Sequence, residues 1–340
     1  MIGGLRDGLN MISGMTWRRS LNAANILRSY HRSRIQRTAR IAGMPISVSF
    51  EPTTSCNLRC PECPSGLRSF SRPTGMLDPA LFRSVIDELS PTLSYLTFYF
   101  QGEPYLHPHF LEMVRYASGK GIYTATSTNG HYLTTEAACR TIQSGLDRLI
   151  LSIDGTTQSS YESYRVGGSL SKVLEGTKNI ISERKRLKSK TPHVIFQFLV
   201  VGPNEHQIPD IKRLAAELGV DQVVLKTAQI YQFENGSPLI PRQDRYSRYR
   251  KNSDGSYSVK NSLDDRCWRM WHSCVITWDG KIVPCCFDKD ARFVLGDVAK
   301  NSFRDIWNGD AYHQFRQSLL QSRNQIEMCR NCTEGSRVFA

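Results

Sequence analysis

Between residues 46 and 226, short apolar runs alternate with stretches of helical spacing, and nothing else in the sequence restricts the fold as much. Residues 46–51, 95–100, 122–127, 149–153, 194–201 and 222–226 read as strands. Residues 78–89, 110–117, 134–144, 173–184 and 205–218 read as helices. Asp78 before Pro79, and Thr134, are N-cap signals, while Gly145 and Gly219 are stops. Six strands alternating with helices predict an α/β fold with a parallel sheet and right-handed crossovers. The near-continuous apolar strands fit burial on both faces. In such folds sites collect beyond the carboxyl ends of the strands. Polar motifs stand there: Gln101-Gly102-Glu103-Pro104, Ser127-Thr128-Asn129-Gly130 and Ser152-Ile153-Asp154-Gly155.

After the first strand come Cys56, Cys60 and Cys63, spaced Cys-x3-Cys-x2-Cys. Three thiolates are one short of a closed structural zinc site. They suit an iron–sulfur cube with one iron left open. Six further cysteines fall near the C-terminus: Cys267, Cys274, Cys285, Cys286, Cys329 and Cys332. Residues 275–285 read as a hairpin with an Asp279-Gly280 turn, and 303–307 and 312–320 as helices. Cys285 and Cys286 are neighbours along a strand and point to opposite faces, so one of the two is a ligand. Cys274 would take the place of Cys267 in a shifted register. Cys139, alone on a helix, reads as a small buried hydrophobe. His107 and His109 flank Pro108 at a helix start, where capping is the simpler role.

The 340 residues, 40% hydrophobic and 22% charged, describe a soluble globular chain of about two domains. No run is apolar enough to span a membrane, and no signal peptide opens the chain. Ten cysteines at metal-ligand spacings without an export signal point to ligation and to the cytoplasm rather than to disulfides. The net charge of +13 owes much to residues 1–45, a basic extension with eight arginines opposed only by Asp7. This extension is expected to pack on the core, with peripheral membrane contact weak at most because its apolar residues are sparse. No nucleic-acid-binding motif is present, and no nucleic-acid partner is expected. Residues 242–265, polar and turn-rich, read as a linker.

The cysteine loop after an apolar strand, followed in order by the three strand-end motifs, resembles the radical S-adenosylmethionine (SAM) superfamily over roughly residues 46–335. The resemblance implies a partial (β/α)6 barrel over 46–241 and a small Cys-rich auxiliary domain over 266–335. That second segment is similar to the SPASM module, or to its shortened single-cluster form, the twitch module of the aminocyclitol dehydrogenase type. It departs from the seven-cysteine SPASM pattern, since no cysteine follows Cys332.

The resemblance implies that Cys56, Cys60 and Cys63 hold a [4Fe–4S] cluster whose open iron takes SAM. It implies that Cys267, Cys285, Cys329 and Cys332 hold one auxiliary [4Fe–4S] cluster. SAM contacts would come from Gly102, Glu103, Asn129, Ser152, Arg165 and Gln197, with the Arg165 guanidinium matching the SAM carboxylate. Glu62 stands where many members carry an aromatic residue near adenine, which puts stacking from that position in doubt. The implied activity is that of a radical SAM oxidoreductase. Reductive cleavage of SAM would give a 5′-deoxyadenosyl radical that takes hydrogen from an unactivated carbon, such as that of an alcohol, and the auxiliary cluster would accept an electron. A flavodoxin or ferredoxin would supply reductant, and the substrate would be a small molecule or a peptide. Peptide or protein modification is the alternative. A non-catalytic zinc or scaffold protein is the outside one.

Overall fold

The computed structural model describes residues 2–334, so residue 335, the expected end of the C-terminal module, lies outside them. Two helices come first, α1 (Ile2–Ser13) and α2 (Trp17–Gln36). The barrel follows as β1 (Ser47–Phe50), α3 (Pro64–Leu67), α4 (Pro79–Leu89), β2 (Tyr95–Phe98), α5 (Phe110–Gly119), β3 (Tyr123–Thr128), α6 (Thr135–Gln143) and β4 (Arg148–Ser152). It is completed by α7 (Gln158–Glu162), α8 (Leu170–Arg186), β5 (His193–Val200), α9 (Ile208–Leu218) and β6 (Gln222–Thr227).

Strands β1 to β6 are parallel neighbours in chain order. The helices form because their starts and stops are encoded. The Asp78 carboxylate accepts from the Ala80 amide and Thr134 from Ala137, while Gly219 closes α9 at φ 77°. Their apolar faces bury Phe82, Ile86, Val114, Val173 and Ile180 against one side of the sheet. Val48, Phe50, Leu96, Phe98, Leu151 and Phe196 on the strands complete that layer. By the two-residue period, Ser127, Ser152 and Gln197 share the other, inward face.

Residues 242–265, expected as a linker, contain a hairpin of β7 (Tyr249–Lys251) and β8 (Tyr257–Val259). Tyr249 is buried there and stacks on Phe233. The C-terminal region then adds α10 (Arg269–His272), β9 (Ser273–Ile276), β10 (Lys281–Val283), β11 (Gly296–Asp297), α11 (Phe303–Asn308) and α12 (Asp310–Ser322). β9 pairs in parallel with β1, and β10 and β11 follow antiparallel, so one nine-stranded sheet runs through both cysteine-bearing regions.

The basic N-terminal segment is seated by polar groups. Asp7 is buried and bonds the Tyr123 hydroxyl and the Arg148 guanidinium at the starts of β3 and β4. Arg19 donates to four backbone carbonyls, those of Gly14, Ser90, Lys120 and Gly121. Both contacts lie at the amino ends of the strands, opposite the cysteine loop. Among the described residues no helix is long and apolar enough to cross a membrane.

Candidate active site

The loop after β1 brings the three sulfur atoms of Cys56, Cys60 and Cys63 to one cavity of about 150 Å³. The cavity is also lined by Gly102, Glu103, Asn129, Ser152 and Arg165. Eight residues scattered over 110 positions therefore meet at the carboxyl ends of β1 to β4. Gln197 sits beside Ser152 in register on β5, on the same sheet face, but does not line the cavity.

Gly102 has φ 74°, and a Cβ there would overlap the Thr53 carbonyl oxygen, so only glycine lets this loop pass so close to the β1 end. The same turn buries Glu103. Its carboxylate accepts from the Thr128 hydroxyl at 2.6 Å, the Asn129 amide at 2.7 Å and the Tyr105 amide at 3.3 Å. Burial nevertheless pushes its pKa up to about 6, and those three donors only moderate the rise. Asn129 reaches back to the cysteine loop, donating to Asn57 Oδ1 at 2.7 Å with Cys56 Sγ 3.9 Å away. Ser152 Oγ lies 3.3 Å from Ser127 Oγ.

Arg165 does not point a free fork into the cavity. Its Nε donates to the fully buried Asp154 carboxylate at 2.5 Å, and Nη1 stands 3.8 Å from Cys60 Sγ. The guanidinium thus lies between a fixed counter-ion and the sulfur. Burial pushes the Cys60 thiol pKa up, opposed by Arg165. The Cys56 thiol is pushed up to about 11, also by burial. Burial favours protonated thiols, and binding a positively charged iron centre would release those protons.

Further residues support the site. Ser65 accepts the Gly102 amide at 2.9 Å, and Gln101 Oε1 lies 3.6 Å from Cys63 Sγ. Glu51, at the end of β1, is clamped by both Arg72 nitrogens at 2.8 and 2.5 Å, which ties the far end of the cysteine loop to the sheet. In the sequence only Glu51, a charged residue ending an apolar strand, hints at this, and nothing marks Arg72. Glu62 accepts the Tyr231 amide at 2.9 Å and so anchors the loop to the chain after β6. His107 bonds the Leu77 carbonyl and accepts the His109 amide at the start of α5, a capping arrangement.

In the C-terminal region Cys267, Cys285, Cys329 and Cys332 line one small enclosed cavity. Arg323, wholly buried, places Nη2 3.3 Å from Cys332 Sγ, and its Nε has no partner among the described residues. Burial pushes the Cys329 thiol up to about 12. Cys274 is packed into the main core, and Cys286 does not line the cavity. Cys139 is only half-buried, with Arg186 Nη2 3.5 Å from its sulfur, so it is not the core residue its isolation suggested. Among the described residues no three His, Cys, Asp or Glu side chains close on a single ion. Sulfur atoms ringing a cavity, with amide, guanidinium and asparagine donors behind them, suit a cluster with its own volume better than one zinc ion.

A family model for the radical SAM superfamily matches residues 50–215, and one for an iron–sulfur cluster-binding domain, SPASM, matches 267–333. This chain belongs to the radical SAM superfamily. It is an enzyme of that superfamily with a C-terminal SPASM domain, and its cofactors are SAM, the [4Fe–4S] cluster that binds it and auxiliary iron–sulfur ligation.

A curated relative is the tungsten-containing aldehyde ferredoxin oxidoreductase cofactor-modifying protein of Pyrococcus furiosus. It is 26% identical over 83% of this chain and 86% of its own length. The PqqA peptide cyclase of Gluconobacter oxydans is 26% identical over 86% of this chain and 84% of its own. Among solved structures, BtrN in complex with AdoMet and 2-DOIA shares the fold at TM-score 0.52, with 18% identity over 86% of this chain and 95% of that one. SuiB of Streptococcus suis bound to precursor peptide SuiA shares it at TM-score 0.63, with 13% identity over 85% of this chain and 70% of that one.

Proposed function

We propose that this radical SAM enzyme is an oxidoreductase in which residues 46–241 form the catalytic core and 266–335 a module with a single auxiliary cluster. Cys56, Cys60 and Cys63 would hold the SAM-binding cluster, and Cys267, Cys285, Cys329 and Cys332 the second. When bound, the first cluster and SAM supply the 5′-deoxyadenosyl radical that takes hydrogen from an unactivated carbon. The chain's own residues bind and orient. Glu103 offers a carboxylate, and Gly102 a carbonyl, to the SAM ammonium. Asn129 and Ser152 face the rest of the cofactor, with Gln197 beside Ser152. Arg165, held by Asp154, sets the charge beside Cys60 rather than clamping the SAM carboxylate with both nitrogens.

The observation that carries this reading is a cleft of about 550 Å³ between the two cysteine sets. One wall is Pro64 and Leu67, next to Cys63, and another is Phe287 and Met328, which also line the auxiliary cavity. A substrate held there would lie between the source of the radical and an electron acceptor, as a two-electron oxidation with one radical step needs. Charges of both signs line that cleft: Lys289, above the Tyr231 ring at 4.7 Å, Arg292 and Arg330 stand with Glu234, Asp288, Asp290 and Glu327.

The test is reductive cleavage of SAM by the anaerobically reconstituted chain with a chemical reductant. Cys60→Ala is expected to abolish 5′-deoxyadenosine formation. Cys329→Ala is expected to retain it, at least in part, while forming no product from a turned-over substrate. Equal loss in a folded Cys329→Ala variant would contradict the division of labour. Peptide modification is the second reading, favoured by the relative named for the PqqA peptide. Synthetic peptides rather than polyols and aminocyclitols would then raise the rate of SAM cleavage.

A further inference from the structure

Helices α1 and α2 turn several large apolar side chains away from the protein. Their inner faces are held largely by polar groups, with Ile26 and Tyr30 of α2 reaching into the core. Asp7 is held by Tyr123 and Arg148, Asn10 donates to Asp147 at 2.7 Å, and Asn22 pairs with both backbone groups of Met44 at 2.8 Å. Opposite Asp7 on α1, at i, i+4 and i+7 spacing, stand Leu5, Leu9 and Ile12, between 60% and 68% exposed. Opposite the buried Ile26 on α2 stand Trp17 at 71%, Leu21 and Ile35 at 76%. Eight of the fourteen large apolar side chains exposed among the described residues lie within the first 35 positions. Scattered exposed apolar residues need no explanation, but a concentration on two adjoining helices does.

The exposed charge on the two helices has one sign. Arg6, Arg18, Arg28, Arg32 and Arg40 are exposed, and the one acid before residue 44 is the buried, paired Asp7. Exposed Lys185, Lys188 and Lys190 adjoin Arg6 and Leu9 around a groove of about 750 Å³, whose two other acids, Asp147 and Asp221, are already bonded to Asn10 and Arg184. We infer that the outer face of α1 and α2 is a docking surface for an anionic lipid bilayer. Leu5, Leu9, Ile12, Trp17 and Leu21 enter the headgroup boundary, and the basic rim meets anionic headgroups. A tryptophan at the junction of the helices fits the boundary, where its ring is apolar and its N–H wet. A second copy of the chain is the poorer occupant, because a self-complementary interface would set these cationic rims against each other with no unengaged acid on the two helices to pair them. The helices sit at the amino ends of the strands, so docking leaves the cavity and cleft at the carboxyl ends facing water.

The test is flotation of the full reconstituted chain with phosphatidylcholine vesicles containing phosphatidylglycerol, against vesicles of phosphatidylcholine alone. Binding is expected to the first only, and to fall as salt shortens the screening length to about 8 Å and below. A Leu9→Glu, Ile12→Glu, Trp17→Glu variant, altered only on the outer face, is expected to lose binding while keeping its melting temperature and its rate of SAM cleavage. Arg18→Gln and Arg28→Gln are each expected to weaken binding about fivefold. Absence of binding by the full chain at low salt overturns the inference. So does binding unchanged by the triple variant, or a chain that self-associates through this face without floating.

Discussion

A carboxylate at the end of a strand is commonly a turn former, but Glu103 is buried, accepts three hydrogen bonds and lies across the cavity from three sulfurs. Because its pKa is raised to about 6, folding favours the protonated acid. That contribution to stability is full below the ordinary carboxyl range and is lost as pH rises through about 6. Binding the SAM ammonium needs the anion, so SAM affinity of the cluster-loaded chain is expected to fall as pH drops through about 6. Glu103→Gln should remove that pH dependence. At mildly alkaline pH it should also weaken SAM binding about 10- to 100-fold, as loss of a charged hydrogen bond worth about 1.5–3 kcal/mol would. Titration calorimetry checks both, and a wild-type affinity that ignores pH across this window would contradict the assignment. At Gly102 the conformation is left-handed and the Thr53 carbonyl blocks a Cβ. Gly102→Ala should therefore cost more than the ~1–2 kcal/mol of a left-handed L-residue, read as a lowered melting temperature. The sequence made Gly102, Glu103 and Asn129 visible because they end apolar runs. It hid Asp154 as the partner of Arg165, because that pairing depends on how the chain returns past β4.

At the scale of elements, each barrel strand and its following helix stood out wherever a cap or stop residue framed an apolar period, as at Asp78, Thr134 and Gly219. The hairpin β7–β8 did not, since three-residue strands in a polar stretch have too short a period to notice. The orientation of α1 and α2 was not legible either. The sequence left open which way their sparse apolar residues face, and the amino ends of the strands and helix ends present Tyr123, Arg148 and bare carbonyls. Asp7, Asn10 and Arg19 satisfy these and leave the leucines outside. The Glu51–Arg72 clamp makes a prediction at this scale. Both side chains are at most 9% exposed, and Glu51 also accepts from the Trp278 amide. Arg72→Ala leaves a buried carboxylate without its counter-ion and should cost about 3–5 kcal/mol in urea denaturation. A Glu51→Gln, Arg72→Met double variant should be clearly milder. Equal losses would mean that packing, and not the charge pair, holds the loop.

At the scale of the molecule, the two cysteine sets stood apart in the sequence, but nothing local announced that β9 would pair with β1. That pairing joins residues more than 220 positions apart and makes the C-terminal region an extension of the barrel sheet. A chain cut before residue 267 would expose the β1 edge, and it is expected to aggregate rather than to persist as a separate barrel. The account depends most on there being two clusters, one in each cysteine set. Iron and labile sulfide per chain after anaerobic reconstitution test it directly. The prediction is about eight of each for the full chain and about four of each when Cys329 and Cys332 are replaced by alanine, as for two cubes of cysteine-ligated type. Stoichiometric zinc without sulfide, or an iron content unchanged by removing those two cysteines, would contradict it.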